Sequence, residues 1–178
     1  LCYYVDCYEL FGQPNRADYF QLPFNHRADR LVVPEWTKDA VVYNIFPDSF
    51  ADGKRKISCD SKVGLGGTIR GIADNLDYIA SIGFNCIYMN PIFKAESYHR
   101  YDTLDYFEID PQMGTKDDLK AMVEKAHSMG IRVILDGVFN HTGDNSVYFN
   151  KYGKYDSVGA YQSKDSPYFS WYSFQKFQ

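Results

Sequence analysis

No apolar run in the 178-residue sequence approaches the roughly 20 residues of a bilayer-crossing helix, so the chain offers no candidate membrane span. Concentrated positive charge is also missing. The 19 Lys and Arg are scattered among 23 Asp and Glu, for a net charge of −4, and no basic face is available to neutralise a nucleic acid backbone or an anionic lipid surface. Neither nucleic acid nor membrane is therefore an expected partner. The four cysteines, Cys2, Cys7, Cys59 and Cys86, form no Cys-x-x-Cys pair, and Cys86 lies in an apolar, strand-like run that suits a buried free thiol. Neither zinc nor a disulfide is expected. The start carries no charged segment followed by an apolar stretch, and it is not Met. The expectation is a cytoplasmic protein whose sequence continues before Leu1.

What the chain has in quantity is aromatic side chains, 17% of residues with 16 Tyr, beside 45% apolar residues overall. Tyrosine suits surfaces that are both apolar and hydrogen-bonding, and carbohydrate is one ligand that needs such a surface; a tyrosine-rich core is the other use.

Short alternating pieces such as Leu1-Cys2-Tyr3-Tyr4-Val5-Asp6 and Tyr19-Phe20-Gln21-Leu22, broken by Gly12, Pro14 and Pro23, make residues 1–33 read as the end of a β-rich domain. Pro34-Glu35-Trp36 then leads into Ala40–Phe46, apolar on both faces, which suits a buried parallel strand. Ile69, Ile72, Leu76, Ile79 and Ile82, spaced by three and four, predict one amphipathic helix that stops at Gly83. Asn85–Pro91 is a second buried strand closed by proline, and Ile92–Gly114 a long functional loop. Thr115 with Asp118 predicts a capping box for a helix with Leu119, Met122, Val123, Ala126 and Met129 on its buried stripe. Arg132–Phe139 is the third strand, and the pattern then dissolves into a polar and aromatic excursion. Three strands joined by helices make a parallel α/β sheet, the opening of a doubly wound fold or of a barrel. Periodicity leaves both open.

Polar clusters fall at the carboxyl ends of the strands, where barrel enzymes carry their working groups. Tyr98-His99-Arg100-Tyr101-Asp102-Thr103 follows the second strand, and Asp136-Gly137-Val138-Phe139-Asn140-His141 closes the third. An acid, an amide and an imidazole around one mouth suit a neutral, hydroxyl-rich ligand. The second cluster resembles the D-x-x-x-N-H signature of the α-amylase family of glycoside hydrolases. Gly66–Ile72 with Leu76–Ile79, and Tyr101-Asp102-Thr103 through Asp105-Tyr106, Ile109-Asp110-Pro111 and Gly114, resemble the family's flanking segments. Trp36–Phe50 and the Tyr-Asp-Thr-x-Asp-Tyr wording look closest to the neopullulanase, cyclomaltodextrinase and maltogenic amylase branch.

That resemblance implies a TIM (β/α)8 barrel. Residues 1–33 would end an N-terminal β-sandwich, 34–142 would form the first three barrel strands, and 143–178 would begin the domain inserted after strand three. It implies that Tyr101 is the platform on which a sugar stacks, or else a core aromatic. His141 would hydrogen-bond that sugar, or else cap its loop. His99 lies near the same sugar, and Asp136 orients an arginine beside the nucleophile, a supporting role. Asn140 matches a calcium ligand or ties down its own loop, and His127 is an ordinary helix-surface residue. A second calcium site of related branches is expected to be lost, because Asp52-Gly53-Lys54-Arg55-Lys56-Ile57 places three cations in its loop. Retaining cleavage needs a nucleophile and an acid about 5–5.5 Å apart. In this family they follow strands four and five, with a further aspartate after strand seven, so no catalytic residue is expected in this chain.

The implied activity is cleavage of α-1,4 or α-1,6 glucosidic bonds in starch-like glucans, pullulan or cyclodextrins by a longer protein. The chain alone is expected to be inactive and, with open strand edges, to self-associate. The competing reading is a non-catalytic carbohydrate-binding module on the same barrel. A nucleotide-binding domain fails, because Gly64-x-Gly66-x-x-Ile69 lacks the last glycine and does not follow a strand.

Overall fold

The computed structural model describes residues 33–51 and 65–175, with four two-residue strand pieces nearer the start of the chain. The polypeptide divides into two compact units, residues 1–39 and 40–178. In the first, β1 (Cys2–Tyr3) pairs antiparallel with β4 (Phe20–Gln21), and β2 (Asp6–Cys7) with β3 (Asn15–Arg16). A 3-10 turn at Glu35–Asp39 follows, begun by the Thr37 amide donating to the Pro34 carbonyl at 3.0 Å. The expected end of a β-sandwich lies largely outside the described residues, and so does the whole cationic loop from Asp52 to Ile57.

The second unit runs β5 (Val42–Ile45), α1 (Pro47–Phe50), α2 (Ile69–Asp74), α3 (Leu76–Ser81), β6 (Cys86–Met89), β7 (Phe93–Ala95), β8 (Thr103–Ile109), α4 (Lys116–Ser128) and β9 (Arg132–Leu135). Strands β5, β6 and β9 form one parallel sheet in that order, with Ile45, Met89 and Leu135 in register at its carboxyl end. The helices cover it. Ile69, Ile72, Leu76 and Ile79 are fully buried with Ile45, Ile87, Met89, Met122 and Ala126 in one apolar cluster, and Leu119, Val123 and Met129 pack against it. His127 is exposed on α4, as expected.

Helix α4 begins where the sequence signals it. The Thr115 hydroxyl accepts from the Asp118 amide at 3.1 Å, and the Asp118 carboxylate accepts from the Thr115 amide at 2.9 Å. Two of the helix's orphan donors are thereby satisfied. The first helical stretch departs from expectation: it breaks at Asn75, whose side-chain amide donates to the Gly71 carbonyl at 2.8 Å and so competes with the helical ladder. Past the break Leu76 and Ile79 stay buried, and only Ile82 at the end of the stripe is left 45% exposed. The first strand also differs. Val42 and Asn44 face outward because β5 is an edge strand, so only Ile45 is buried.

The long segment after β6 is no open loop. Strands β7 and β8 pair as an antiparallel hairpin with register shifts on both sides of Lys94. It carries the excursion that follows β9, since the Gly143 amide donates to Thr103 and the Val147 amide to Leu104, at 2.9 and 3.0 Å. Close approach requires glycine here: a Cβ at 143 would lie 2.8 Å from the Asp102 carbonyl oxygen.

Candidate functional site

The parallel ladder ends with the Asn90 amide donating to Ile45 and the Asp136 amide donating to Met89, both at 2.9 Å. Asn90 and Asp136 are thus the first residues past adjacent strands, and their side chains meet one ring. Asn90 Nδ2 donates to the Tyr101 hydroxyl at 2.7 Å, and that hydroxyl donates to Asp136 Oδ2 at 3.2 Å. Tyr88, on β6, is close enough to feel the same carboxylate. Burial, then the Asp136 charge, pushes the Tyr88 phenol above its ordinary value.

Both histidines hold the main chain of Tyr101. The Tyr101 amide donates to His99 Nδ1 at 3.2 Å, and His141 Nε2 lies 3.0 Å from the Tyr101 carbonyl. A carbonyl only accepts, so His141 carries its proton on Nε2 and its Nδ1 accepts from Asn140 Nδ2 at 3.3 Å. Both ring nitrogens of His141 are thus engaged. His99 accepts at Nδ1, which leaves its proton on Nε2 as a donor.

The turn that delivers Tyr101 is anchored underneath. Arg100 takes a left-handed backbone, φ 60°, and its side chain is only 2% exposed. The guanidinium lies 3.3 Å from Asp110 Oδ2, donates to Gln112 Oε1 at 3.2 Å and also donates to the Tyr98 carbonyl. Asp102 closes the other side by accepting from the Ser97 amide and hydroxyl. A buried ion pair thus holds the conformation that aims the exposed aromatic ring, which is 36% accessible.

Beside this cluster is a cavity of about 270 Å³ whose walls include Tyr106, Phe139, His141, Trp171 and Tyr172. The Tyr106 hydroxyl spans the carbonyls of Val138 and His141 and so fixes the turn bearing Phe139 and Asn140. Apolar rings next to neutral hydrogen-bonding groups match a ligand that shows both a C–H face and hydroxyls.

The structure brings Tyr101, His141, His99 and Asp136 into one network. Asp136 accepts from the Tyr101 hydroxyl through Oδ2. Sequence reasoning missed Asn90 and the Arg100–Asp110 pair. A polar residue ending an apolar strand before Pro91 was the available signal for the first; nothing local marks the second. Asn140 is exposed, with its amide turned to His141. No group of three or more His, Cys, Asp or Glu converges as a metal site among the described residues. Asn140 would supply one of the roughly six to eight oxygens that calcium takes.

The model of the alpha amylase catalytic domain matches residues 44–178. A cyclomaltodextrinase of Geobacillus thermopakistaniensis is 49% identical over 138 residues, 71% of this chain and 24% of its own length. An intracellular maltogenic amylase of Bacillus subtilis is 44% identical over 139 residues, again 24% of its length. Among solved structures, the ligand-free cyclic alpha-maltosyl-(1-->6)-maltose hydrolase of Arthrobacter globiformis superposes with a TM-score of 0.68 at 36% identity, covering 82% of this chain and 34% of that one. The chain spans about a quarter of the length of the two curated relatives.

Proposed function

The chain belongs to the alpha amylase catalytic-domain family, and from that premise we propose that it forms one wall of the glucose-binding site of a retaining glycosidase acting on α-linked glucans. Its three parallel strands are read as the first three of a (β/α)8 barrel, and residues 143–178 as the start of the domain inserted after the third. The supporting observation is the network at the strand ends, in which one exposed aromatic ring is fixed by Asn90 and Asp136 at its hydroxyl and by His99 and His141 at its main chain. An aromatic face held that firmly, with an imidazole beside it, suits stacking of a glucosyl ring.

Asp136 is read as a supporting group rather than the nucleophile, its Oδ2 accepting from the Tyr101 hydroxyl. The nucleophile and acid are assigned to strands four and five, so the 178-residue chain by itself is expected to hydrolyse nothing. Cyclodextrins, pullulan and starch are the candidate substrates, the first in line with the name of the cyclomaltodextrinase, and the relative named intracellular supports a cytoplasmic setting.

The test is carried out on the full-length protein. Release of reducing ends from a cyclodextrin should proceed with retention of the α-anomer, read by proton NMR. Tyr101→Ala should lower kcat/KM by roughly a hundredfold or more. Binding of glucan without cleavage would turn the reading into a carbohydrate-binding module, and a Tyr101→Ala variant of undiminished activity would remove the platform role.

A further inference from the structure

We infer that Asn90 is a positioning residue for sugar recognition, acting only through the Tyr101 hydroxyl; this rests on the glucan-site reading above. A carboxylate cannot donate, so the proton of the Tyr101 hydroxyl points at Asp136 Oδ2, and the oxygen's lone pairs are left to accept. Asn90 Nδ2, at 2.7 Å, fills that position. The three groups form a directed chain from the amide after β6 to the phenol to the carboxylate after β9. Neither end can reverse without leaving the phenol between two acceptors or two donors.

The other half of the amide shows what this arrangement costs. Asn90 Oδ1 is buried and has no hydrogen-bond partner among the described residues. An orphaned buried acceptor is destabilising. Turning the amide over would place Nδ2 in that buried position and point Oδ1 at Tyr101, which would break the chain. The fold thus tolerates an unsatisfied oxygen in order to keep a donor on the tyrosine. Asn90 also follows directly on β6, whose register with β9 is set by the buried Met89, so the donor sits on the sheet rather than on a loop. The remaining holds on Tyr101 come from the histidines of its own turn and of the strand-three turn. Asn90 is the one that fixes the ring's far end together with Asp136.

The discriminating variant is Asn90→Leu, close in size, which removes the orphaned oxygen along with the donor. In the full-length protein its Tm should equal or exceed that of the parent, while KM for a cyclodextrin rises roughly tenfold and kcat falls less. In a Tyr101→Phe background the same replacement should have no further effect on kcat/KM, because the hydroxyl through which Asn90 acts is gone. Loss of Tm with kcat and KM unchanged would reduce Asn90 to a packing residue. A Leu effect that persists undiminished in the Tyr101→Phe background would mean that Asn90 meets the sugar directly. A fluorinated tyrosine at 101 gives a readout that needs no activity. Its resonance should move on Asn90→Leu even if the protein cleaves no glucan, an outcome that would overturn the glycosidase reading and spare this one; an unmoved resonance would overturn the inference itself.

Discussion

At Tyr148 the hairpin and the excursion lock together. The ring is 3% exposed, its hydroxyl accepts from the Tyr106 amide at 3.1 Å, and Asp105 Oδ1 lies 3.3 Å away. Burial, ahead of the Asp105 charge, pushes the phenol up to about 12. A folded value above the unfolded one, near 10, means that Tyr148 stabilises the fold fully below about pH 10. That contribution is lost as pH rises toward 12. Phenolate absorbance should accordingly show a late phase near pH 12 that shrinks in Tyr148→Phe; an unchanged late phase in that variant would assign it elsewhere. At this scale the sequence displayed Tyr101, His141 and Asp136 clearly, because an aromatic or a charge in a strand-end motif has few ordinary uses. Asn90 and Arg100 were hidden for the opposite reason. An amide before a proline and a cation in a polar turn are commonplace, and only the fold reveals that each reaches Tyr101 or the turn that carries it.

Helix α4 places its stability in a cap that can be read without coordinates. Thr115→Ala should cost about 1 kcal/mol, measured as a lower urea midpoint with unchanged slope. The hydrogen bonds from the Thr115 side chain and amide, then Arg70, hold the Asp118 carboxyl below its usual value. A depressed folded value contributes stability above the ordinary range near pH 4, lost as pH falls through the folded value. The wild-type advantage over Asp118→Asn should therefore shrink between neutral and acid pH; an advantage that persists at low pH would point to packing instead. Caps and stripes are local, which is why this helix and the three parallel strands were legible. The β7–β8 hairpin was not, since its pairing bridges residues far apart and its shifts around Lys94 spoil simple alternation. The break at Asn75 was equally invisible, because a single side-chain bond to Gly71 decides it.

For the molecule as a whole, the strand order leaves β5 and β9 each with one partner among the described residues. Val41, Val42 and Leu135 are 50%, 44% and 37% exposed along those edges. Open, partly apolar edges recruit further strands, and a net charge of −4 opposes this only weakly. The 178-residue chain should therefore scatter light as oligomers whose mass grows with concentration; a monomer at all concentrations that melts cooperatively would refute this. A different consequence belongs to Tyr101, gripped at once from the ends of two neighbouring strands and from its own turn. Such a ring behaves as a strain gauge for the scaffold. Warmth or solvent that slackens the strands by a fraction of an ångström should detune its aim while the surrounding architecture still stands.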